Sequence, residues 1–286
     1  MHIHYFGLTD QGMVRSENQD AIFLSEEGAG FPLFFLVADG MGGAQGGRTA
    51  SSMATASVPD DFFAGLGQGT PEESLRWAVD TANSKILDRS RSDEHLQGMG
   101  TTLVGLVIFE GGRALVINIG DSRCYLERGG QLRQISRDHS LVQEMVRTGQ
   151  LTEDEVQTCG MRNVLSRALG VEDLVQADLF EIEALQDNDI FLLCSDGLHG
   201  AVADERMLGV LQRNADLPLK AQLLVREANE AGGPDNISVI LVRVEMDKNG
   251  KEEPQETTVC GPAPKLEETT LVRSRKAGLL GRFFRR

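Results

Sequence analysis

Five aspartates stand where short apolar runs meet glycine or a turn. Asp39 ends LFFLVA and is followed by Gly40-Met41-Gly42-Gly43, and Asp196 ends IFLLCS and is followed by Gly197. Asp121 follows ALVINIG, Asp20 precedes AIFL, and Asp235 precedes NISVILV. One aspartate in such a place is an ordinary cap or turn residue. Two apolar strands that each deliver Asp-Gly ask for more. A carboxylate at the exit of a buried strand is held rigidly, and its burial is costly unless a cation neutralises it. Several converging carboxylates repel one another. A divalent cation cluster resolves both costs. All-oxygen donors suit Mg²⁺ or Mn²⁺, and histidine is scarce at five residues.

The elements that must position these residues come in groups. Strand signals cover His2–Leu8, Asp20–Leu24 and Pro32–Ala38, then Leu103–Phe109, Ala114–Ile119, Arg123–Glu127 and Leu132–Ile135. Gly111-Gly112 and Gly120-Asp121 are expected to turn hairpins. Helical periodicity falls at Gly47–Ser57, ending before Pro59, and at Pro71–Ser90, where Leu75, Ala78, Val79, Ala82, Ile86 and Leu87 share one face. A helix near Leu141–Thr148 precedes an irregular stretch, Gly149–Gly170. Strands follow at Gln176–Ile182, Ile190–Cys194 and Ile237–Val244, with helices at Asp204–Asn214 and Leu217–Ala231 between the last two. Strict βαβ alternation is absent, which favours an α+β domain of antiparallel sheets covered by helices.

In this order, the segments GLTDQGMVRSENQDA (7–21), VADGMGGAQGG (37–47), GMGTTLVGLVI (98–108), NIGDSRCYL (118–126) with RDHSLVQEMVRTGQL (137–151), and CSDGLHGAV (194–202) with GGPDNISVILV (232–242) resemble the motifs of the metal-dependent protein phosphatases of the PPM family, phosphatase 2C-like. The resemblance covers about residues 3–245, and Met41 after Asp39-Gly40 looks like the bacterial branch. It implies a four-layer αββα sandwich, two antiparallel sheets flanked by helix pairs. It implies a serine/threonine phosphoprotein phosphatase that hydrolyses phosphomonoesters by attack of a metal-bridged hydroxide. Two core ions, Mn²⁺ or Mg²⁺, would be held by Asp20, Asp39, the Gly40 carbonyl, Asp196 and Asp235. Asp121 matches the carboxylate of a weaker third metal, Arg15 the arginine that grips the substrate phosphate, and 136–170 the flap beside the cleft.

Two positions depart from the family pattern. Gln19 stands where the family often has glutamate, and Met41 stands where animal members carry histidine. Methionine donates no proton, so a water or, as the lesser candidate, His139 must protonate the leaving alkoxide. No protein nucleophile offers itself, since neither G-x-S-x-G nor C-x₅-R occurs. GxxxxGK[ST] is also absent, which argues against a nucleotide-cradling loop. A weak family member that binds phosphoproteins as a module, and a two-metal phosphodiesterase, stand as alternatives.

The 286 residues carry a net charge of −15. Such a protein repels a polyanion, so nucleic acid is not expected as its partner. Cys124, Cys159, Cys194 and Cys260 form no C-x-x-C pair, which suits a reducing compartment. With no apolar run of membrane length and no signal-peptide pattern, a cytoplasmic monomer is expected. Composition shifts after the domain expected at 1–246. Residues 247–286 read as a disordered tail with nine bases and six acids, which leaves about −18 on the rest. The tail repeats Glu256-Thr257-Thr258-Val259 as Glu268-Thr269-Thr270-Leu271. These pairs resemble the acidic Thr-Thr motifs read by FHA domains, and they imply a cognate Ser/Thr kinase. Its end, VRSRKAGLLGRFFRR, has an amphipathic basic pattern suited to an anionic inner-membrane surface or to the acidic body of the protein.

Overall fold

The alternation of apolar side chains along three strands sets the layering. In Leu33–Met41 (β3), Phe34, Leu36 and Ala38 pack against helices, while Phe35 and Val37 face the opposite way. Leu192 and Cys194 of Ile190–Cys194 (β10) also face helices, and Phe191 and Leu193 point inward. Val239 and Leu241 of Ile237–Glu245 (β11) repeat the pattern against Ile240 and Val242. Such strands are buried on both faces, which explains why they read as continuous apolar runs. The protein, seen as a computed structural model, is described at residues 1–152, 155, 159–161 and 164–247.

One sheet has the order β1-β11-β10-β7-β8, where β1 is His2–Asp10, β7 is Arg123–Arg128 and β8 is Gln131–Gln134. The other runs β2-β3-β5-β6-β9, with β2 at Asp20–Leu24, β5 at Leu103–Ile108, β6 at Ala114–Ile119 and β9 at Asp178–Ile182. A two-residue strand, β4 (Gly100–Thr101), pairs with the end of β3. Every pairing is antiparallel. Helices α1 (Ala44–Gly65) and α2 (Pro71–Ser92) cover the second sheet. Helices α5 (Asp204–Leu211) and α6 (Leu217–Glu230) cover the first. The inner faces of both sheets meet in a third core built on Phe35, Val104, Leu106, Phe191 and Ile240. This is the αββα sandwich that the resemblance implied. Two further short α-helices are α3 (Leu141–Arg147) and α4 (Asp196–His199), and a 3₁₀ turn lies at Glu94–Leu96.

The structure departs from the sequence reading in two places. Helix α1 does not stop before Pro59 but runs through it to Gly65. Proline removes one helical hydrogen bond, yet Val58 and Phe62 on either side are fully buried, and Phe62 meets Phe34 edge-on with centroids 5.3 Å apart. Tertiary packing outweighs the local break. Second, Gly120-Asp121 does not turn a hairpin. Strands β6 and β7 lie in different sheets, so the chain crosses between layers there. The crossing is pinned by the Thr102–Ser122 hydroxyl pair at 2.7 Å and by the His139 backbone N–H, which donates to the Gly120 carbonyl at 2.9 Å. No sequence period reports a change of sheet. The tail beyond Asp247, including Cys260 and both Thr-Thr repeats, lies outside the described residues.

Candidate functional site

Antiparallel register places Asp20 directly opposite Asp39 across β2 and β3. Like charges at such a position oppose pairing. Asp196 leaves β10 at the same end of the sandwich, and Asp235 stands two residues before β11. The Ser195 hydroxyl bridges the two sheets by donating to Asp20 Oδ2 at 2.7 Å. Serine 195 is therefore a fixed donor to a carboxylate and not a nucleophile.

The supports around these aspartates are short polar ties to the backbone. The Asp39 N–H donates to Thr102 Oγ1 at 3.0 Å, and the Thr101 hydroxyl donates to the Asp39 carbonyl at 2.8 Å. Asn236 holds the loop that carries Arg15. Its Nδ2 donates to the carbonyls of Gln11 and Glu17 at 2.8 and 2.9 Å, and its Oδ1 accepts from the Gln19 N–H at 2.9 Å. Sequence reasoning passed over Asn236, Thr101, Thr102 and the positioning role of Ser195. The signal available was that Asn236 and Ser195 each adjoin a singled-out aspartate, while Thr101 and Thr102 lie in the segment GMGTTLVGLVI.

Both Asp-Gly pairs need glycine for space. A Cβ on Gly40 would lie 2.0 Å from the Gly47 carbonyl oxygen, and one on Gly197 2.0 Å from that of Asn236. Backbone thus packs on backbone immediately behind each aspartate.

The electrostatics are those of crowded acids. Burial raises Asp20 to about 7, helped by the charges of Asp196 and Asp235 and opposed by hydroxyl donors. Asp39 is held well above the usual carboxylate range by burial and then by Asp20 and Asp196. Burial, then Asp235, raises Asp196, against the pull of Asp39 and Arg15. Burial also raises Asp121 to about 7, with Asp196 and Asp138 adding to it. Two buried oxygens, Asp20 Oδ1 and Asp196 Oδ1, have no hydrogen-bond partner. The Arg15 guanidinium reaches in from a half-exposed position, its Nη2 2.6 Å from Asp235 Oδ2. Among the described residues no three acidic, His or Cys side chains form a group spaced to hold a metal ion.

The structure brings Asp20, Asp39, Gly40, Asp196, Asp235 and Arg15 to one end of the sandwich. Asp121 joins them near Asp196, and its backbone carbonyl meets His199 Nε2 at 3.0 Å. His139 is not a free acid. Its ring is buried, Nδ1 accepts the Gly120 N–H at 3.2 Å, and Nε2 faces Asp178 at 3.4 Å and Arg167 at 3.3 Å. Burial, then the Arg167 charge, lowers its pKa. His139 clamps the crossing between the sheets. His2 and His4 lie away from the cleft, beside Asp247 and Glu245 at 3.1 and 2.8 Å.

These shifts fix a pH dependence for the protein in chelator. An aspartate with a raised folded pKa costs stability above that pKa, and the cost disappears below the unfolded value near 3.8. Lowering the pH from 8 to 6.5 should therefore raise the Tm, by a few degrees for about 1–2 kcal/mol. Below about 6.5 the rise slackens, because His139 and His199, the latter lowered to about 4 by burial, take up protons only on unfolding and offset part of the aspartates' gain. Scanning calorimetry in EDTA reads this directly. A Tm that falls between pH 8 and 6.5 would contradict the crowded-acid reading.

The protein phosphatase 2C family profile matches residues 13–227. The serine/threonine phosphatase stp of Listeria monocytogenes serotype 4b is 38% identical over 247 residues, covering 85% of this chain and 97% of its own. The solved serine/threonine phosphatase of S. agalactiae superposes with a TM-score of 0.79 at 35% identity, over 85% of this chain and all of its own. The catalytic domain of the phosphatase PstP, solved in complex with two manganese ions, gives a TM-score of 0.74 at 36% identity, over 85% of this chain and 99% of its own.

Proposed function

This chain belongs to the protein phosphatase 2C family, and from that premise we propose that Asp20, Asp39, Asp196, Asp235 and the Gly40 carbonyl hold two divalent cations, Mn²⁺ or Mg²⁺, in a serine/threonine phosphoprotein phosphatase. The observation that carries the site is the pair of buried, unpartnered oxygens on Asp20 and Asp196 within a cluster of raised carboxylates. Oxygen-only donors with spare lone pairs fit hard cations. When bound, the ions supply Lewis acidity, making water nucleophilic near neutral pH and offsetting charge on the phosphoryl oxygens.

The chain's own residues then have distinct tasks. Arg15 lies at the mouth of the site and, with five N–H donors, turns part of its fork from Asp235 to two phosphoryl oxygens. Ser195 keeps Asp20 in one rotamer, and Thr101 and Thr102 fix the strand end that bears Asp39. Met41 has no proton to give and both His139 nitrogens are engaged, so the departing serine or threonine oxygen takes its proton from water. Asp121, whose carboxylate feels the charge of Asp196, serves a third and weaker cation. Asp121→Ala should keep the two tight sites, read by calorimetric Mn²⁺ titration, and lower kcat by about tenfold or more. Loss of the tight sites would move Asp121 into the core pair.

One assay tests the whole reading. The protein is offered para-nitrophenyl phosphate, a phosphothreonine peptide and a DNA strand in Mn²⁺, with and without EDTA. Hydrolysis of the first two only, abolished by EDTA, is the expected result. Peptide binding without turnover would favour the phosphoprotein-binding module, and cleavage of DNA the phosphodiesterase.

The domain is proposed to end near residue 246, where β11 is complete. We assign to 247–286 the tethering of a cytoplasmic, monomeric enzyme close to a cognate Ser/Thr kinase, through an FHA domain or an anionic inner-membrane surface. Among the described residues no helix is long and apolar enough to cross a membrane. A chain ending at Asp247 should retain turnover of a small phosphopeptide, and loss of that turnover would refute the tether.

A further inference from the structure

A groove of about 340 Å³ opens between the end of β3 and the loop before β9. Met41, two residues past Asp39, forms one wall. Val171, Leu174 and Val175, in the loop before β9, form the other; Glu172 adds an acid, and Arg167 adds a base that is paired with Asp178 at 3.1 Å. Leu174 is 88% exposed and Val171 49%. Apolar side chains this open, next to a reaction centre, are costly unless something covers them. Met41 and Asp39 stand two residues apart at the end of β3, so a chain that placed a phosphate at Asp39 would bring its next residues to this groove.

The segment beyond Asp247 supplies a chain with the matching order of chemistry. Thr270 is followed by Leu271 and then, one residue on, by Arg273, Arg275 and Lys276. A phosphate on Thr270 at the aspartates would set Leu271 against Met41, Val171 and Leu174, and the bases against Glu172. The first repeat lacks this order, because Val259 is followed by Cys-Gly-Pro-Ala-Pro.

Reach selects the same repeat. Strand β11 starts beside the cleft and carries the chain away from it, so Asp247 stands roughly 40 Å from Asp235 at about 3.3 Å per strand residue. Thr258, eleven residues further on, spans at most about 40 Å, with nothing to spare, and Thr270, 23 residues on, at most about 83 Å. Only the second repeat reaches back with slack.

We propose that phosphothreonine 270 of this chain's own tail is a substrate of this site in cis, with Leu271 seated in the groove of Met41, Val171 and Leu174. The inference rests on the phosphatase reading above. Phosphate is placed on Thr270 by a Ser/Thr kinase from a nucleoside triphosphate. In its removal, a water oxygen bonds to phosphorus and the bond from phosphorus to Thr270 Oγ1 breaks. The electron pair stays on Oγ1, which takes a proton from water, and inorganic phosphate leaves.

The test uses the full chain with Mn²⁺ and a synthetic peptide of residues 266–276 phosphorylated on Thr270. Replacing Leu271→Ser in the peptide should lower kcat/KM about tenfold, the worth of one partly buried leucine. Leu174→Ser in the enzyme should lower it similarly for the native peptide, and should add little for the Leu271→Ser peptide. Val171→Ser provides a second variant. Para-nitrophenyl phosphate turnover should stay unchanged in both variants. Equal kcat/KM for all pairs overturns the groove assignment. An unrelated phosphothreonine peptide with leucine next in line but no bases should be poorer, and equality would overturn the tail as occupant. For the cis step, the full chain bearing phosphothreonine 270 is held in chelator and started with Mn²⁺. A rate constant unchanged by tenfold dilution is expected, and a rate constant that falls with dilution overturns it. Absence of para-nitrophenyl phosphate turnover in the unmodified protein would instead defeat the underlying phosphatase reading.

Discussion

Asp39→Asn and Asp196→Asn each lower turnover of para-nitrophenyl phosphate by about a thousandfold or more in saturating Mn²⁺, while raising the Tm of the metal-stripped protein at pH 8. The first effect follows from the role proposed for the carboxylates as cation ligands. Lewis acidity worth several kcal/mol of transition-state stabilisation is lost, and about 1.4 kcal/mol is a factor of ten. The second follows from what they cost. Asp39 faces Asp20 in strand register and lies among Asp196, Asp121 and Asp235, all of which push its pKa up. An amide keeps the shape and removes a charge that nothing beside it offsets. A merely structural aspartate would give the opposite pair of results, little change in turnover and a lower Tm. Near-normal activity in both mutants would remove these residues from the metal site. Circular dichroism melts in EDTA and in Mn²⁺ separate the two effects, since bound cation should reverse the order of stability.

Much of this site was legible before any coordinates, for a local reason. A short apolar strand that ends in Asp-Gly declares both a buried element and a rigid carboxylate, and β3 and β10 both do so. The order of the motifs then implied the layers. What escaped was everything decided by long-range contacts. Helix α1 crosses Pro59 because Phe62 is held by Phe34, a residue from a strand earlier in the chain. The Gly120-Asp121 turn changes sheets because residues 102 and 139 hold it, and a two-residue turn looks the same in either role. Asn236 ties the Arg15 loop across more than two hundred residues, a bond that no local pattern announces. Strand β4 is too short to carry a period at all.

The backbone packing behind the aspartates leads to the last expected result. Gly197→Ala should destabilise the protein by about 3 kcal/mol and cut activity at least tenfold, whereas Gly209→Ala should stabilise it by about 0.5–1 kcal/mol with activity unchanged. The two glycines differ only in what a methyl group would meet. At Gly197 the new Cβ falls 2.0 Å from the Asn236 carbonyl oxygen, which is backbone and cannot rotate away. Relief requires Asp196-Gly197 to move from β11, and Asp196 is one of the carboxylates that must stay in place. Asn236 would move too, and with it the loop that carries Arg15. At Gly209, on the exposed side of α5, nothing lies within 4 Å, so alanine only reduces the entropy lost on forming the helix. Urea denaturation and para-nitrophenyl phosphate kinetics on the two variants measure both quantities. Equal stability of the two would mean that the close approach at Gly197 is not what holds the backbone of the proposed metal site together. A destabilised Gly197→Ala protein with full activity would mean that the position of Asp196 tolerates more movement than two-cation chemistry allows.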